Sequence, residues 1–483
     1  MPSGCKSLVK TEAVRLYRLA PLIRPRSLLS KDSLLAGAML AAVVGLVWPG
    51  IAWAGMLTVD GTRCNLVDAI SAANRDAPEG GCPAGSGQDT LLLTAAVYTL
   101  TQVNNWVNDP CPYPRCGPGG YQTPNGLPMV ISAINLNGDP DGDGNGAVVE
   151  RSKAANTPPF RLLHVEPTGK LVARRVTFRN GGGGTLCGGG IRIRYLGTLS
   201  LIGSTVSDNR VDEWYGSGGG ICIEGGVVSL HGSVITGNQG SGILNRGGSL
   251  SLWGSTVSDN GGDIPQAPSD GGLDNYAGTV SLVNSTVTGN RGYSFGGVRN
   301  LGAATVINST ISGNLGEGFV NYGTATLSHV TVNGNGPPLV PAGGVSSFGL
   351  GTLRLINSIV ANNVGGDCGV FVDYSGRLGS IDLSGVNLIE DGSCEAAAKG
   401  SRIGDPDLGP LADNGAATKT NALLSCSGAI DAADDAFCPT TDQREMERPQ
   451  GLHCDIGAFE LVAPNRNVCL VNFRSSWKRV VAP

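Results

Sequence analysis

The chain has 483 residues, 75 of them Gly and 27 Pro, with 5% aromatic, 15% charged and 41% hydrophobic residues. The glycine follows no strict Gly-X-Y period, which excludes collagen, and the hydrophobic fraction excludes a disordered chain; so much glycine also argues against a helix-rich core, since each Gly costs about 1 kcal/mol in a helix relative to Ala. Formal charge is −5, and becomes 27 − 37 = −10 once residues 1–54 are set aside, which argues against a nucleic-acid partner.

Residues 1–54 read as a secretory signal with a long n-region. Seven Lys or Arg precede the apolar run 34–54, and Ala52-Trp53-Ala54 forms a small-x-small cleavage site. The run is long enough to act as an uncleaved anchor, but Pro49 and Gly50 favour cleavage, which would leave no transmembrane segment. The expected location is secreted or cell-surface. Cysteine usage agrees: of 13 Cys, Cys5 lies in the leader and the other twelve form no CxxC pair, so disulfides are expected rather than zinc. Near neighbours suggest Cys64–Cys82, Cys111–Cys116, Cys368–Cys394 and Cys438–Cys454, while spacing alone leaves the connectivity open.

Residues 55–159 are expected to hold an N-terminal cap and the first coils. Leu66, Ala69, Ile70 and Ala73 recur at helical spacing and predict a short helix over 64–75. Further on, Asp139-Pro140-Asp141-Gly142-Asp143-Gly144-Asn145, with Glu150 in twelfth place, matches the calcium-loop pattern D-x-D-x-D-G-x5-E. Asp139, Asp141, Asp143, Asn145 and Glu150 are therefore candidate Ca²⁺ ligands. The strand-like flanks also fit a β-turn with an acidic insertion. No other cofactor motif is present.

From 160 to 365 the chain repeats. The phrase Ser-Thr-Val-Ser-Asp-Asn ends at Asn209 and Asn260, variants end at Asn238, Asn290 and Asn314, and weaker copies end at Asn180, Asn335 and Asn363. The spacing varies from 21 to 30 residues, so short strands alternate with loops of free length. Each unit carries two more strand-like pieces, one of the Gly-Gly-Ile type (190–193, 242–245, 272–275, 297–300, 318–321) and one of the Thr-Leu-Ser-Leu type (198–201, 249–252, 279–282). Three short strands per turn predict an all-β chain folded as a right-handed parallel β-helix, about 40 Å long for eight coils. Stacking predicts an aliphatic ladder through Val206, Ile235, Val257, Val287 and Ile311. It predicts one Asn ladder from Asn209 to Asn335 and another through Asn245, Asn275, Asn300 and Asn321. The Asn residues are expected in the left-handed region, with Gly at the corners.

Alignment of the Gly-Gly pieces stacks Arg194, Glu224 and Arg246 on successive coils and puts Asp274 beside Arg299. A β-eliminating lyase needs a base and a cation against the uronate, and a hydrolase needs paired carboxylates. The same residues fit a surface ladder of alternating charge. His164, His231, His329 and His453 are scattered, with His231 and His329 read as surface or stacking residues. Residues 366–460 read as a disulfide-rich C-terminal cap, and 461–483 as a tail.

Both ends carry a family resemblance. Cys64-Asn65-Leu66-Val67-Asp68-Ala69-Ile70 resembles the C-S-L-R-E-A-I motif that opens many secreted β-helix proteins. Asp405-Pro406, Leu408-Gly409-Pro410-Leu411, Asp413-Asn414-Gly415, Ala429-Ile430-Asp431, Thr441-Asp442-Gln443-Arg444, Arg448-Pro449-Gln450-Gly451 and the run 454–460 resemble the closing module of the choice-of-anchor Q family. Cys426, Gly428 and Glu445-Met446 depart from that pattern. The resemblance implies a pectin-lyase-like fold and export, without implying an activity. The expected function is a secreted or cell-surface protein with a structural, adhesive or carbohydrate-binding role, partnered by an extracellular polysaccharide or a cell surface. The alternative is a polysaccharide-active lyase or glycoside hydrolase working on the outer face of the helix.

Overall fold

A computed structural model describes residues 55–109, 121–182, 187–211, 218–262, 271–336, 342–373, 375–396 and 400–462. The leader, the tail beyond Val462, Cys111 and Cys116 lie outside the described residues. Three columns of parallel strands wind around one core. The first face holds short strands such as Leu163–Val165, Ile191–Ile193 and Ile221–Ile223. The second holds five-residue strands such as Lys170–Arg174, Thr198–Ile202 and Val227–His231. The third runs through eleven strands from Val97–Leu100 to Leu388–Ile389. At about 4.8 Å per coil, eleven strands extend roughly 50 Å.

Register follows from period-2 patterning, because a one-residue slip would turn every inward side chain outward. On the third face Val206, Ile235, Val257, Val287 and Ile311 lie in one column that continues to Val332 and Val360, all fully buried. Beside it runs the Asn ladder. Asn209, Asn238, Asn260, Asn290 and Asn314 each accept, at the side-chain oxygen, bonds from the preceding coil or donate to the next at 2.8–3.1 Å, and the series continues through Asn335 to Asn363. The second ladder joins Asn245, Asn275, Asn300 and Asn321 at 2.7–2.8 Å.

The left-handed residue is not the ladder Asn but the one before it: Asp208, Gly237, Asp259, Gly289, Gly313, Gly334 and Asn362 have φ of 54–68°. Asn180 is accordingly one place out of line. It takes the left-handed position (φ 65°), and Gly181 stands where the other coils have Asn, its N–H donating to Asn209. A third ladder arises from the Ser that opens the repeated phrase. Ser204, Ser233, Ser255 and Ser285 each donate a backbone N–H to the hydroxyl of the next coil's Ser at 3.1–3.2 Å, ending on Ser309.

Glycine at the start of the first-face strands answers to space rather than to backbone angle. A Cβ on Gly272 would lie 2.7 Å from the Asn290 side-chain nitrogen and 2.9 Å from the Gly297 carbonyl. Gly272→Ala is expected to destabilise by about 1–3 kcal/mol, as overpacking does, read as a lower urea midpoint at unchanged slope.

Both ends are covered. The helix Leu66–Arg75, capped by Asn65 accepting from the Asp68 N–H at 2.9 Å, buries Leu66, Ala69, Ile70, Ala72 and Ala73 over the first coil and is tied by Cys64–Cys82. At the other end the stack continues past 365: Cys368–Phe371, Ser380–Ser384 and Leu388–Ile389 form a further coil. Cys368–Cys394 then draws buried Ala396 onto the core. The remainder, 405–462, holds Cys438–Cys454 and runs back along the flank between the second and third faces. It bonds one coil after another: Thr418 and Lys419 with Asn284 and Thr286, Gln443 with Thr310, Ala458 with Thr331, and Asp434 with Asn357. Ile359, Leu388, Leu423, Ala429, Ile456 and Phe459 form a second apolar core beneath it.

Candidate functional site

The expected column of Arg194, Glu224 and Arg246 follows the register, because Ile193, Ile223 and Asn245 pair on consecutive coils immediately before it. The charges do not meet as stacked. Glu224 turns to Arg192 and accepts at 3.0 Å from Nε and 2.5 Å from Nη2. Arg194 lies 3.9 Å from Glu166. Arg246 is partly exposed and has no ion-pair partner among the described residues; exposed Tyr276 follows it on the next coil. Asp274 and Arg299 are brought together as expected: they pair in register, and Nε donates to Asp274 at 2.8 Å while the guanidinium lies 4.1 Å over Phe295. Glu224 therefore takes two bonds from Arg192 on Oε2, while Asp274 engages both oxygens with Arg299.

Two buried groups on this face carried no sequence signal. Arg161 is fully buried and donates to the carbonyls of Gly188 and Cys187, both at 2.8 Å, and to Asn125 at 3.0 Å. It also donates to His164 Nδ1 at 3.3 Å. Burial, reinforced by Arg161, Arg192 and Arg194, pushes the His164 ring down to about 2, so it stays neutral. A disulfide between Cys187 and Cys222 closes over this cluster; that pair lies 35 residues apart, beyond any neighbour rule. Glu317 is 4% exposed, bonded to the Ser346 hydroxyl, and pushed up to about 7 by burial. His329 is buried under the C-terminal flank, whereas His231 is exposed on the second face.

The second face has a different chemistry. Across six coils, from Thr198–Ile202 to Thr324–Ser328, its outward residues are Thr198, Ser200, Ile202, Val227, Ser229, His231, and 249, 251, 253, then 279, 281, 283, 303, 305, 307, 324, 326 and 328. None is Asp, Glu, Lys or Arg, and most are Ser or Thr. Charges return only at the edges, with Lys170 and Arg174 on one side and Arg354 and Asp382 on the other. Trp253 stands on the third of these coils, at the end of its strand between His231 and Val283, 48% exposed. Hydroxyl neighbours sit about 4.8 Å apart between coils and about 6.7 Å along a strand, and Thr279 bonds Ser249 at 3.2 Å.

At the turn between the second and third faces, Asp139, Asp141 and Asp143 converge. Asn145 bonds Asp143 through its amide nitrogen at 2.8 Å. Glu150 does not join them. It lies on the strand Ala147–Arg151 and pairs with Arg179 at 2.8 Å, so the twelve-residue calcium loop does not close.

The family model for a right handed beta helix region matches residues 189–382. No curated protein matches the chain. Among solved structures, the chain is similar to a crystal structure of pectate lyase Pel9A, at 15% identity and a TM-score of 0.39, over 82% of this chain and 91% of that one. No helix among the described residues is long and apolar enough to cross a membrane.

Proposed function

We propose that the protein is an extracellular, non-catalytic carbohydrate-binding β-helix that takes a neutral polysaccharide on its second face. The observation that carries this reading is exposed Trp253, set between His231 and Val283 along the edge of a Ser/Thr-rich surface six coils long that has no Asp, Glu, Lys or Arg. A pyranose presents an apolar C–H face to an aromatic ring and hydroxyls to either side, and a flat periodic surface suits an extended polymer. A polyanion would call for Arg and Lys, which this face lacks. Four disulfides among the described residues and the leader-like residues 1–54 support export.

Retention on insoluble glucan or chitin is the test. Trp253→Ala is expected to weaken it about tenfold, the loss of one stacked ring, with folding unchanged because the side chain points outward. Equal retention by the variant, or binding confined to polyuronates, would sink the reading. The lyase alternative draws support from Arg246, partly exposed and without an ion-pair partner among the described residues. Release of unsaturated uronates that Arg246→Ala abolishes would favour it instead.

A further inference from the structure

Asp139 begins the turn that carries the chain from the strand Ala133–Asn137 to the strand Ala147–Arg151. Its side chain is only 6% exposed. One oxygen, Oδ2, lies 3.3 Å from Arg175 Nε and accepts the Gly144 N–H at 3.2 Å. The other, Oδ1, is buried and has no hydrogen-bond partner. A buried carboxylate oxygen left bare is costly, and such an atom calls for a partner, an ordered water or a cation. Asp141 and Asp143 approach it from the exposed side: one oxygen from each of the three carboxylates lies within 4.8 Å of the others. Oxygens that share one calcium at about 2.4 Å lie no more than about 4.8 Å apart. Arg175 faces the cluster from the next coil, its Nε at 3.3 Å from Asp139 Oδ2 and its Nη1 donating to the Gly144 carbonyl at 3.1 Å, and neither bond engages Oδ1.

We infer that Asp139, Asp141 and Asp143 bind one Ca²⁺, with Oδ1 of Asp139 as the buried anchor and water filling the open side. Asn145 positions Asp143 through its amide nitrogen rather than ligating. Glu150, held by Arg179, takes no part. Three protein ligands and an open flank place the affinity at about 10⁻⁴–10⁻³ M, the range of extracellular modules. The ion would pin the turn between the second and third faces of an early coil, and the site is independent of the carbohydrate reading.

Calorimetric titration of chelator-treated full-length protein with CaCl₂ tests this. One site in that range is expected, weakened about tenfold or more by Asp141→Asn, an exposed substitution that leaves packing alone, and unchanged by Glu150→Gln. Absence of heat up to ~10 mM Ca²⁺, Asp141→Asn binding like the parent protein, or loss of binding in Glu150→Gln would each overturn it.

Discussion

Asn290→Ala is expected to lower stability by about 4–5 kcal/mol, far more than a surface substitution such as Ser251→Ala, which should stay within about 0.5 kcal/mol. Asn290 is fully buried, and its amide serves two coils at once. The oxygen accepts from the backbone N–H and side chain of Asn260 at 3.0 and 2.9 Å. The nitrogen donates to the Val257 carbonyl and to Asn314, both at 2.9 Å. Alanine takes the side-chain partner from the buried Asn260 N–H and the Val257 carbonyl, while the Asn260 amide keeps the Ile235 carbonyl and the Asn314 oxygen keeps the Asn290 backbone N–H; a small cavity adds to the loss. The urea midpoint should fall with little change in slope. A loss under about 2 kcal/mol would mean that the ladder rides on the stack rather than holding it together.

That ladder was legible because stacking makes physics periodic in sequence: the same contact recurs each coil, so Asn209, Asn238 and Asn260 announce one another. The leading Ser of the same phrase recurs just as regularly and forms its own ladder; its period was visible, but a small hydroxyl in a turn has too many ordinary roles to single it out. The left-handed position was displaced by one residue, because Asp, Gly and Asn all tolerate that conformation. Non-repeating features were opaque. Nothing local to Phe160-Arg161-Leu162 says that a guanidinium will be enclosed, and no spacing rule joins Cys187 to Cys222. Arg194, Glu224 and Arg246 were aligned correctly by backbone register. Their partners were not, since Arg192, which takes Glu224, sits at a neighbouring position that alignment of columns ignores. The calcium pattern picked out three carboxylates that lie together but not Glu150, because a strand, not a helix, follows the loop.

Two buried titrating groups should pull stability in opposite directions with pH. His329 is neutral and enclosed, Nε2 facing the Asn357 amide at 3.2 Å, and burial, helped by Arg448, holds it down to about 3 against 6.5 in the unfolded chain. Between those values the unfolded chain binds a proton that the native one refuses. Its contribution is present above 6.5 and is lost as pH falls toward 3. Glu317 is the reverse: about 7 folded against 4.5 unfolded, so its contribution is whole below 4.5 and is lost as pH rises through 7. Substitutions separate the two. His329→Asn keeps the left-handed backbone, as Asn284, Asn308 and Asn357 do at the same turn of other coils. Relative to the parent protein, it should gain about 2–3 kcal/mol between pH 6.5 and 4.5. Glu317→Gln should gain roughly 3 kcal/mol on going from pH 4.5 to about 8. Denaturation of both variants at the two ends of the range decides it; a parallel response to pH in variant and parent would remove either group from the account.

A stack of coils is a one-dimensional object. Each coil touches only its neighbours, so such a rod ordinarily frays from its tip, one rung at a time. The stretch 405–462 changes that. By bonding residues some 133 positions apart, as Thr286 does with Lys419 and Thr310 with Gln443, it straps four rungs together like a splint. No rung under the splint can open until the splint lifts, and the splint lifts only if every rung lets go. This stretch thus turns a zipper into a latch, and a protease meeting the distal half of the rod confronts a single cooperative block.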